Sequence, residues 1–272
     1  MTLGPLSPQV FTILGTIIEE RAGLQYRIED LELLREKVLP RAQEKGFDSL
    51  LDYYYFLRYD ALGGAELDVL IETLVVHETY FFRESDQLQA LVQEIIAPAV
   101  KEGRTLRIWC AACSTGEEAI TLRILLARAG LLDKVQVLAS DISHRALGRA
   151  RLGEYAANSM RAVPEDVPGP WLTRRDKRVE VSAALRETID WRCVNLTDPL
   201  AVRALGKFDH ILCRNVLIYF GDQTVRRVVA SLTEALLPGG LLLIGASESL
   251  LRYGTSLSCE ERGGAFFYRR AS

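Results

Sequence analysis

Apolar residues return at helical spacing along the first part of the chain: Val10, Leu14, Ile17 and Ile18; Leu31, Leu34 and Val38; Leu50, Leu51, Tyr54 and Leu57; Leu67, Leu70, Ile71 and Leu74. This spacing predicts an all-helical N-terminal domain over 1–76, with Gly23, Gly46 and the Gly63-Gly64 pair where helices stop or turn. A junction at 77–102 contains a bridging helix near 86–101. Beyond it, over 103–272, short β-branched runs at 106–110, 135–140, 189–194, 208–213 and 241–245 alternate with helical stretches at 117–129, 143–151 and 222–237. Strand and helix in alternation predict an α/β fold, a doubly wound parallel sheet covered on both faces. The last helix is expected to end at the turn Pro238-Gly239-Gly240. Residues 257–261 and 265–269, joined by Arg262-Gly263-Gly264, read as a hairpin adding antiparallel strands at one edge. Between Tyr155 and Thr188 the pattern breaks: Pro164, Pro168 and Pro170 interrupt it, and Arg178 to Ser182 alternates like an exposed strand. An inserted antiparallel β-subdomain is therefore expected at 163–188.

Charge changes the picture regionally. The net charge is −3, from 33 Lys+Arg and 36 Asp+Glu, so the whole molecule is no polyelectrolyte suited to nucleic acid. Residues 1–80 nevertheless hold seven Lys/Arg against fourteen Asp/Glu, a net of −7, which leaves +4 for 81–272. The apolar run at 10–18 is too short to span a bilayer and follows no basic stretch, so a cytoplasmic protein without membrane insertion is expected. The odd set Cys110, Cys113, Cys193, Cys213 and Cys259 fits reduced thiols. Cys110-x-x-Cys113 has no second pair, and His77, His144 and His210 are far apart in sequence, so no metal site is expected.

In open α/β sheets ligands bind beyond the carboxyl ends of the strands. Four such places stand out: the small-residue loop Ala111 to Glu118, Asp141 closing Val-Leu-Ala-Ser-Asp, Val194-Asn195-Leu196, and Cys213 to Phe220. An acidic residue after the second strand can accept two hydrogen bonds from a ribose diol, which suggests an adenosine-bearing ligand. The first loop lacks the three-glycine fingerprint and carries Glu117 and Glu118 where a pyrophosphate would need positive potential. Adenosine without phosphates but with a cationic tail fits S-adenosylmethionine better than NAD or ATP. The blander reading, that the two glutamates only favour the helix N-terminus, is compatible with it. Upstream, His77 to Glu84 places two aromatics and a guanidinium at the junction; the plain alternative is that Phe81 and Phe82 are core and Arg83 is a surface ion pair with Glu84.

Together these stretches resemble the chemotaxis receptor methyltransferases, the CheR family. The resemblance rests on Thr79-x-Phe81-Phe82-Arg83, Ser114-Thr115-Gly116-Glu117-Glu118, Ala139-Ser140-Asp141-Ile142, Val194-Asn195-Leu196, Cys213-Arg214-Asn215-Val216-x-Ile218-Tyr219-Phe220, Pro238-Gly239-Gly240 and Ser247-Glu248-Ser249, in order along nearly the whole chain. It implies a Rossmann-like methyltransferase domain that transfers methyl from S-adenosylmethionine to glutamate side chains of a chemoreceptor, leaving S-adenosylhomocysteine. By the same resemblance His77, Thr79, Arg83, Glu118, Asp141, Asn195, Leu196, Arg214 and Asn215 would surround the cofactor, with Asp141 on the ribose. Arg83 and Tyr219 would lie nearest the reaction centre, Arg83 bonding either the substrate carboxylate or the methionine carboxylate.

The chain departs from the family pattern in three places. His77 stands where Asn is usual, and Ala119 replaces a proline. The helical domain is acidic where relatives often present a basic helix to the receptor's cytoplasmic coiled coil. Lys37, Arg41 and Lys45 share a helical face, but Pro40 is expected to interrupt their helix and Glu36 and Glu44 dilute them. The denser basic cluster is Arg174, Arg175, Lys177 and Arg178, in the subdomain that in relatives can hold a receptor tail peptide. A monomer is expected. The competing reading is a regulatory or scaffold protein on the same fold that senses S-adenosylmethionine without transferring methyl.

Overall fold

The computed structural model describes residues 6–167 and 169–272; Pro168, one of the three prolines noted above, lies outside the described residues. The chain divides into two compact units. One comprises residues up to Val76 together with Tyr219–Thr224, the other His77–Ile218 together with Val225–Ser272.

The first unit is built on four helices, α1 Pro8–Ala22, α2 Leu31–Glu44, α3 Leu50–Tyr59 and α4 Gly63–Leu74. Ser7 starts α1 by accepting from the Val10 N–H, and Gly23, at φ +77°, ends it by donating to the Glu19 carbonyl. Leu14, Ile18, Leu34, Val38, Tyr53 and Leu70 fill the core. Two expectations are corrected. Pro40 does not interrupt α2, which runs on to Glu44: the proline forfeits one backbone bond, while Val38 and Ala42 stay buried on either side of it and Arg41 is tied to α4. The Gly63-Gly64 pair opens α4 instead of stopping a helix; a Cβ at Gly63 would stand 2.2 Å from the Phe56 carbonyl oxygen, so the close approach of the two helices requires glycine there.

That tie centres on Glu66, almost fully buried. Its carboxylate accepts a two-pronged guanidinium bond from Arg41 at 2.6 and 2.7 Å and a bond from the Tyr53 hydroxyl at 2.9 Å, with the Lys45 ammonium at 3.0 Å. Burial pushes the Glu66 carboxyl upward, but Arg41, Lys45 and Tyr53 outweigh it and hold it below the usual carboxylate range. A folded-state pKa below the unfolded one stabilises the fold fully above the unfolded value and ceases to do so as pH falls through the folded value. An acid titration of the intact chain, followed by circular dichroism, is expected to show stability falling below about pH 4. Glu66→Gln should remove that part of the slope; an unchanged slope would rule Glu66 out as its source.

In the second unit a helical run covers α5 Ser85–Ala90, a π-helical turn Leu91–Ile96 and α6 Ala97–Lys101. Pro98 has no N–H to offer the preceding turn, and the Ala97 N–H reaches back five residues to the Val92 carbonyl. There follow β1 Leu106–Ala111, α7 Glu117–Arg128, β2 Val135–Asp141, α8 His144–Leu152, β3 Glu154–Ala156, β4 Leu172–Arg175, β5 Arg178–Val181, α9 Ala183–Arg186, β6 Ile189–Cys193, α10 Pro199–Ala204, β7 Phe208–Leu212, α11 Asp222–Ala235, β8 Leu236–Leu243, β9 Ser258–Arg262 and β10 Ala265–Arg269. The seven-stranded sheet has the order β6-β2-β1-β7-β8-β10-β9. Its first five strands are parallel, and β10 and β9 close the edge antiparallel. Ile108, Cys110, Val137, Leu212 and Leu243 belong to a core shared with Ile120 and Ile124 of α7.

Two further differences from expectation are local. The last helix ends at Ala235, and Pro238-Gly239-Gly240 lies inside β8 instead of before it. Leu236 already pairs with Phe208, and the ladder resumes one irregularity later with His210 opposite Leu241. The small sheet, of order β3-β5-β4, takes its first strand from Glu154–Ala156, ahead of the expected insertion at 163–188, because those residues pair with Arg178–Glu180. Among the described residues no helix is long and apolar enough to cross a membrane.

Candidate active site at the carboxyl ends of the parallel strands

The order in which successive strands are added to the sheet reverses between β1 and β7, which are parallel neighbours although far apart in sequence. Such a reversal opens a crevice at the carboxyl ends of the two strands. Register brings the flanking ends level: Cys110 lies opposite Leu212 and Ala139, Ala111 opposite Ser140, and Asp141 opposite Cys193. The loops after β1, β2, β6 and β7 therefore converge.

The loop after β1 is wound tightly. Ala112 and Ser114 have φ of +55° and +52°, and Gly116 has +92°. Cys113 N–H donates to the Ser140 carbonyl at 2.8 Å, and the Ser114 N–H donates to Asp141 at 2.7 Å. The other Asp141 oxygen accepts from the Ser143 N–H at 2.9 Å, so Asp141 organises both loops. His77 comes to this loop as well, its Nδ1 3.1 Å from the Ser114 hydroxyl oxygen. A Cβ at Gly116 would stand 2.7 Å from the Trp191 ring and 2.8 Å from Ala150. Gly116→Ala is therefore expected to lose at least about 1–2 kcal/mol of stability from the left-handed backbone alone, measured by urea unfolding. A neutral result would mean that the loop can rewind.

Glu117 and Glu118 part company at the start of α7. Glu117 turns to the Thr115 hydroxyl at 2.6 Å and the Ser159 hydroxyl at 3.3 Å, and burial raises its pKa. Glu118 faces Arg214, whose Nη1 donates to it at 2.7 Å; burial still pushes the Glu118 carboxyl upward against that attraction. Arg214 has a side chain only 1% exposed. It also donates to Gln87 at 2.9 Å, to the Glu84 carboxylate at 3.0 Å and to the Arg83 carbonyl at 3.1 Å. The neighbouring Asn215 sits at φ +56° and donates through Nδ2 to Glu84 at 3.1 Å.

The remaining candidates are placed as follows. Arg83 is half-buried; its Nη1 donates to the Glu78 carbonyl at 2.5 Å, and its Nε stands 3.9 Å from Glu84, so the expected surface pair with Glu84 is its weaker contact. Phe81 and Phe82 are buried core. The Asn195 side chain accepts from the Thr197 N–H and hydroxyl at 3.0 and 2.8 Å, and Leu196 is buried beside it. His77 and Thr79 line a cleft of about 520 Å³ with Thr115, Glu117, Tyr155 and Ser159, adjoining the β1 loop. Tyr219 belongs to the helical unit, where its carbonyl accepts from the Gln25 N–H at 2.9 Å. Cys110 and Cys113 are buried, which raises both thiol pKa values well above the ordinary range and makes them unreactive. Among the described residues no group of three His, Cys, Asp or Glu side chains is placed to hold a metal ion.

Two carboxylates that brace the site are given no role there by the sequence reading, although Glu248 lies within the Ser247-Glu248-Ser249 stretch. Glu84 is taken there only as a partner for Arg83. Glu248 accepts from three backbone N–H groups, Asn215 at 2.8 Å, Leu217 at 2.8 Å and Gly245 at 2.7 Å, and so fixes the loop after β7. Its signal is its place in the stretch that follows the carboxyl end of β8, as Asp141 closes β2.

The donor set suits a phosphate-free adenosine ligand with a cationic tail. The carboxylates Glu84, Glu117, Glu118, Asp141 and Glu248 outnumber the guanidiniums of Arg83 and Arg214, and the first turn of α7 carries two of them, which favours a cationic ligand over a pyrophosphate. The fold and this donor set fit an S-adenosylmethionine-dependent methyltransferase, and comparison with known proteins shows that class. The family model described as "CheR methyltransferase, SAM binding domain" matches residues 77–262. Chemotaxis protein methyltransferase 2 of Vibrio cholerae is 34% identical over 239 residues, 86% of this chain and 83% of that protein. Chemotaxis protein methyltransferase 1 of Pseudomonas aeruginosa is 31% identical over 250 residues, 88% of this chain and 90% of that protein. The P. aeruginosa protein named "Probable biofilm formation methyltransferase WspC" is 32% identical over 241 residues, 86% of this chain and 56% of that protein. The chain belongs to the CheR methyltransferase family.

Proposed function

We propose that the chain transfers methyl from S-adenosylmethionine to glutamate side-chain carboxylates of a methyl-accepting chemoreceptor, giving the glutamate methyl ester. The observation that carries this reading is the half-buried Arg83, beside the Arg214–Glu118 pair, with only one of its N–H groups in a close hydrogen bond among the described residues. A guanidinium so placed can receive a carboxylate in two-pronged fashion. When bound, the cofactor supplies an electrophilic methyl on a sulfonium. An ionised glutamate needs no base, so the chain's work is orientation. In this reading Asp141 receives the ribose, and Glu118, Asn195, Leu196, Arg214, Asn215, Thr79 and His77 surround the rest of the cofactor. Tyr219 enters from the family resemblance alone.

Receptor docking follows from the same charges. Arg41 and Lys45 are tied to Glu66, and of the three cations on that face Lys37 alone has no ion pair among the described residues. The α2 face is therefore a weak lure for an acidic coiled coil. The β-subdomain suits a receptor tail better: β4 is an edge strand with Arg174 exposed, although Arg175 and Arg178 are partly neutralised by Glu180 and Glu154. The resemblance to the relative named for biofilm formation supports a second reading, in which the receptor serves a pathway other than swimming. Incubation with S-adenosylmethionine and receptor cytoplasmic fragments, with base-labile methyl counted as methanol, tests the proposal. Ester formation is expected. Binding of S-adenosylhomocysteine without ester on any fragment would favour a cofactor-sensing regulator.

A further inference from the structure

We infer that Glu84 is a positioning residue of the cofactor site, acting through Asn215 and Arg214. Its backbone is left-handed, φ +46° and ψ +50°, at the residue just before α5, a conformation a non-glycine residue adopts only when its surroundings impose it. What imposes it is a carboxylate joining three separate stretches of chain. One oxygen accepts from Asn215 Nδ2 at 3.1 Å; the other accepts from Arg214 Nη2 at 3.0 Å and from the Ala246 N–H at 3.0 Å. The Glu84 carbonyl takes a further bond from Arg214 at 3.3 Å. Burial pushes this carboxyl upward, yet the Ala246 N–H, Arg214 and Asn215 together hold it below the ordinary range, so it stays charged.

The neighbouring anchor explains why Glu84 matters to the loop after β7. Glu248 holds the backbone of Asn215 and Leu217 but makes no bond to the Asn215 side chain. Space around it is tight: a Cβ at Gly245 would stand 2.6 Å from Asn215 Nδ2. Glu248 thus sets the path of the loop, and Glu84 sets the direction of the amide and the guanidinium at its start. Arg83, one residue before Glu84, shares the same turn, so this single carboxylate links the segment carrying Arg83 to the segment carrying Arg214 and Asn215.

The inference rests on the proposed cofactor role of that loop, and its test separates the two. Calorimetric titration of S-adenosylhomocysteine into wild type, Glu84→Ala, Asn215→Ala and the double variant is expected to show a Kd raised about tenfold by Glu84→Ala. The double variant should lose less than the product of the single losses, because Glu84 acts through Asn215. Glu84→Gln, which keeps the shape and one acceptor, should fall between wild type and alanine. Wild-type affinity in Glu84→Ala, or multiplicative losses, would overturn the inference. Should Glu84→Ala fold poorly, Glu84→Gly accommodates the left-handed backbone and carries the same comparison. Amide hydrogen exchange without any ligand gives an independent reading: Asn215 and Leu217 should exchange faster in the Glu84 variants, and unchanged exchange would also overturn it. A wild type that fails to bind S-adenosylhomocysteine would sink the cofactor reading, while the exchange result still decides whether Glu84 holds the loop.

Discussion

Arg214→Ala is expected to cost about 3–5 kcal/mol of stability, the range for removing one partner of a buried ion pair. The side chain is 1% exposed and sits between Glu118 and Glu84, so alanine leaves two partly buried carboxylates without the guanidinium that compensates them. Against a typical domain stability of about 5–15 kcal/mol, such a loss would move the urea midpoint far enough to read without ambiguity. Adding Glu118→Gln should recover part of it by removing one of the stranded charges. Arg214→Lys should restore less than the charge alone suggests, since an ammonium cannot reach Gln87, Glu118, Glu84 and the Arg83 carbonyl together. A loss under about 1 kcal/mol would place Arg214 among the ordinary exposed pairs.

Arg83→Ala should show the opposite division of effects. Its one close bond, to the Glu78 carbonyl, and its 3.9 Å approach to Glu84 give the fold little to lose. Stability should therefore change by less than about 1 kcal/mol, while, on the proposed role of Arg83 in orienting a carboxylate of the substrate or of the cofactor, turnover falls about 10²-fold or more. Tyr219→Phe should reduce turnover less. Unfolding curves and methanol release on the same preparations check both halves. Wild-type turnover in Arg83→Ala would remove it from the reaction.

Local chemistry carried much of this into the sequence. The apolar runs marked β1, β2 and β7 because a strand buried on both faces has few other choices of side chain, whereas the edge strand β6 buries only Ile189. Asp141 and Arg214 announced themselves as charged residues at strand ends. What stayed illegible depends on partners distant in the chain: Glu84 is matched to Arg214 and Asn215 some 130 positions later, and no periodicity encodes such a pairing. Pro40 shows the converse. Its local penalty is real, but the buried Arg41–Glu66 clamp across the helices holds α2 through it. Pro238-Gly239-Gly240 reads as a turn by composition and lies within a strand because β7 pairs on either side of it, at Leu236 and Leu241, and Gly239 and Gly240 exchange backbone bonds with Arg270, just past β10.

The helical unit recovers Tyr219–Thr224 from far along the chain, pairing Phe220 with Leu24 and Tyr219 with Gln25. No single cut therefore separates the units: a fragment ending at Val76 would lack part of its own structure, and the remainder would keep a stretch with no home. In hereditary terms, a recombination that exchanged the first 76 codons between two relatives would carry one side of the Leu24–Phe220 and Gln25–Tyr219 pairings without the other. Chimeras crossed at that point should fail unless codons 219–224 travel with them, which ties the inheritance of the acidic helical unit to that of the domain whose sequence encloses its last segment.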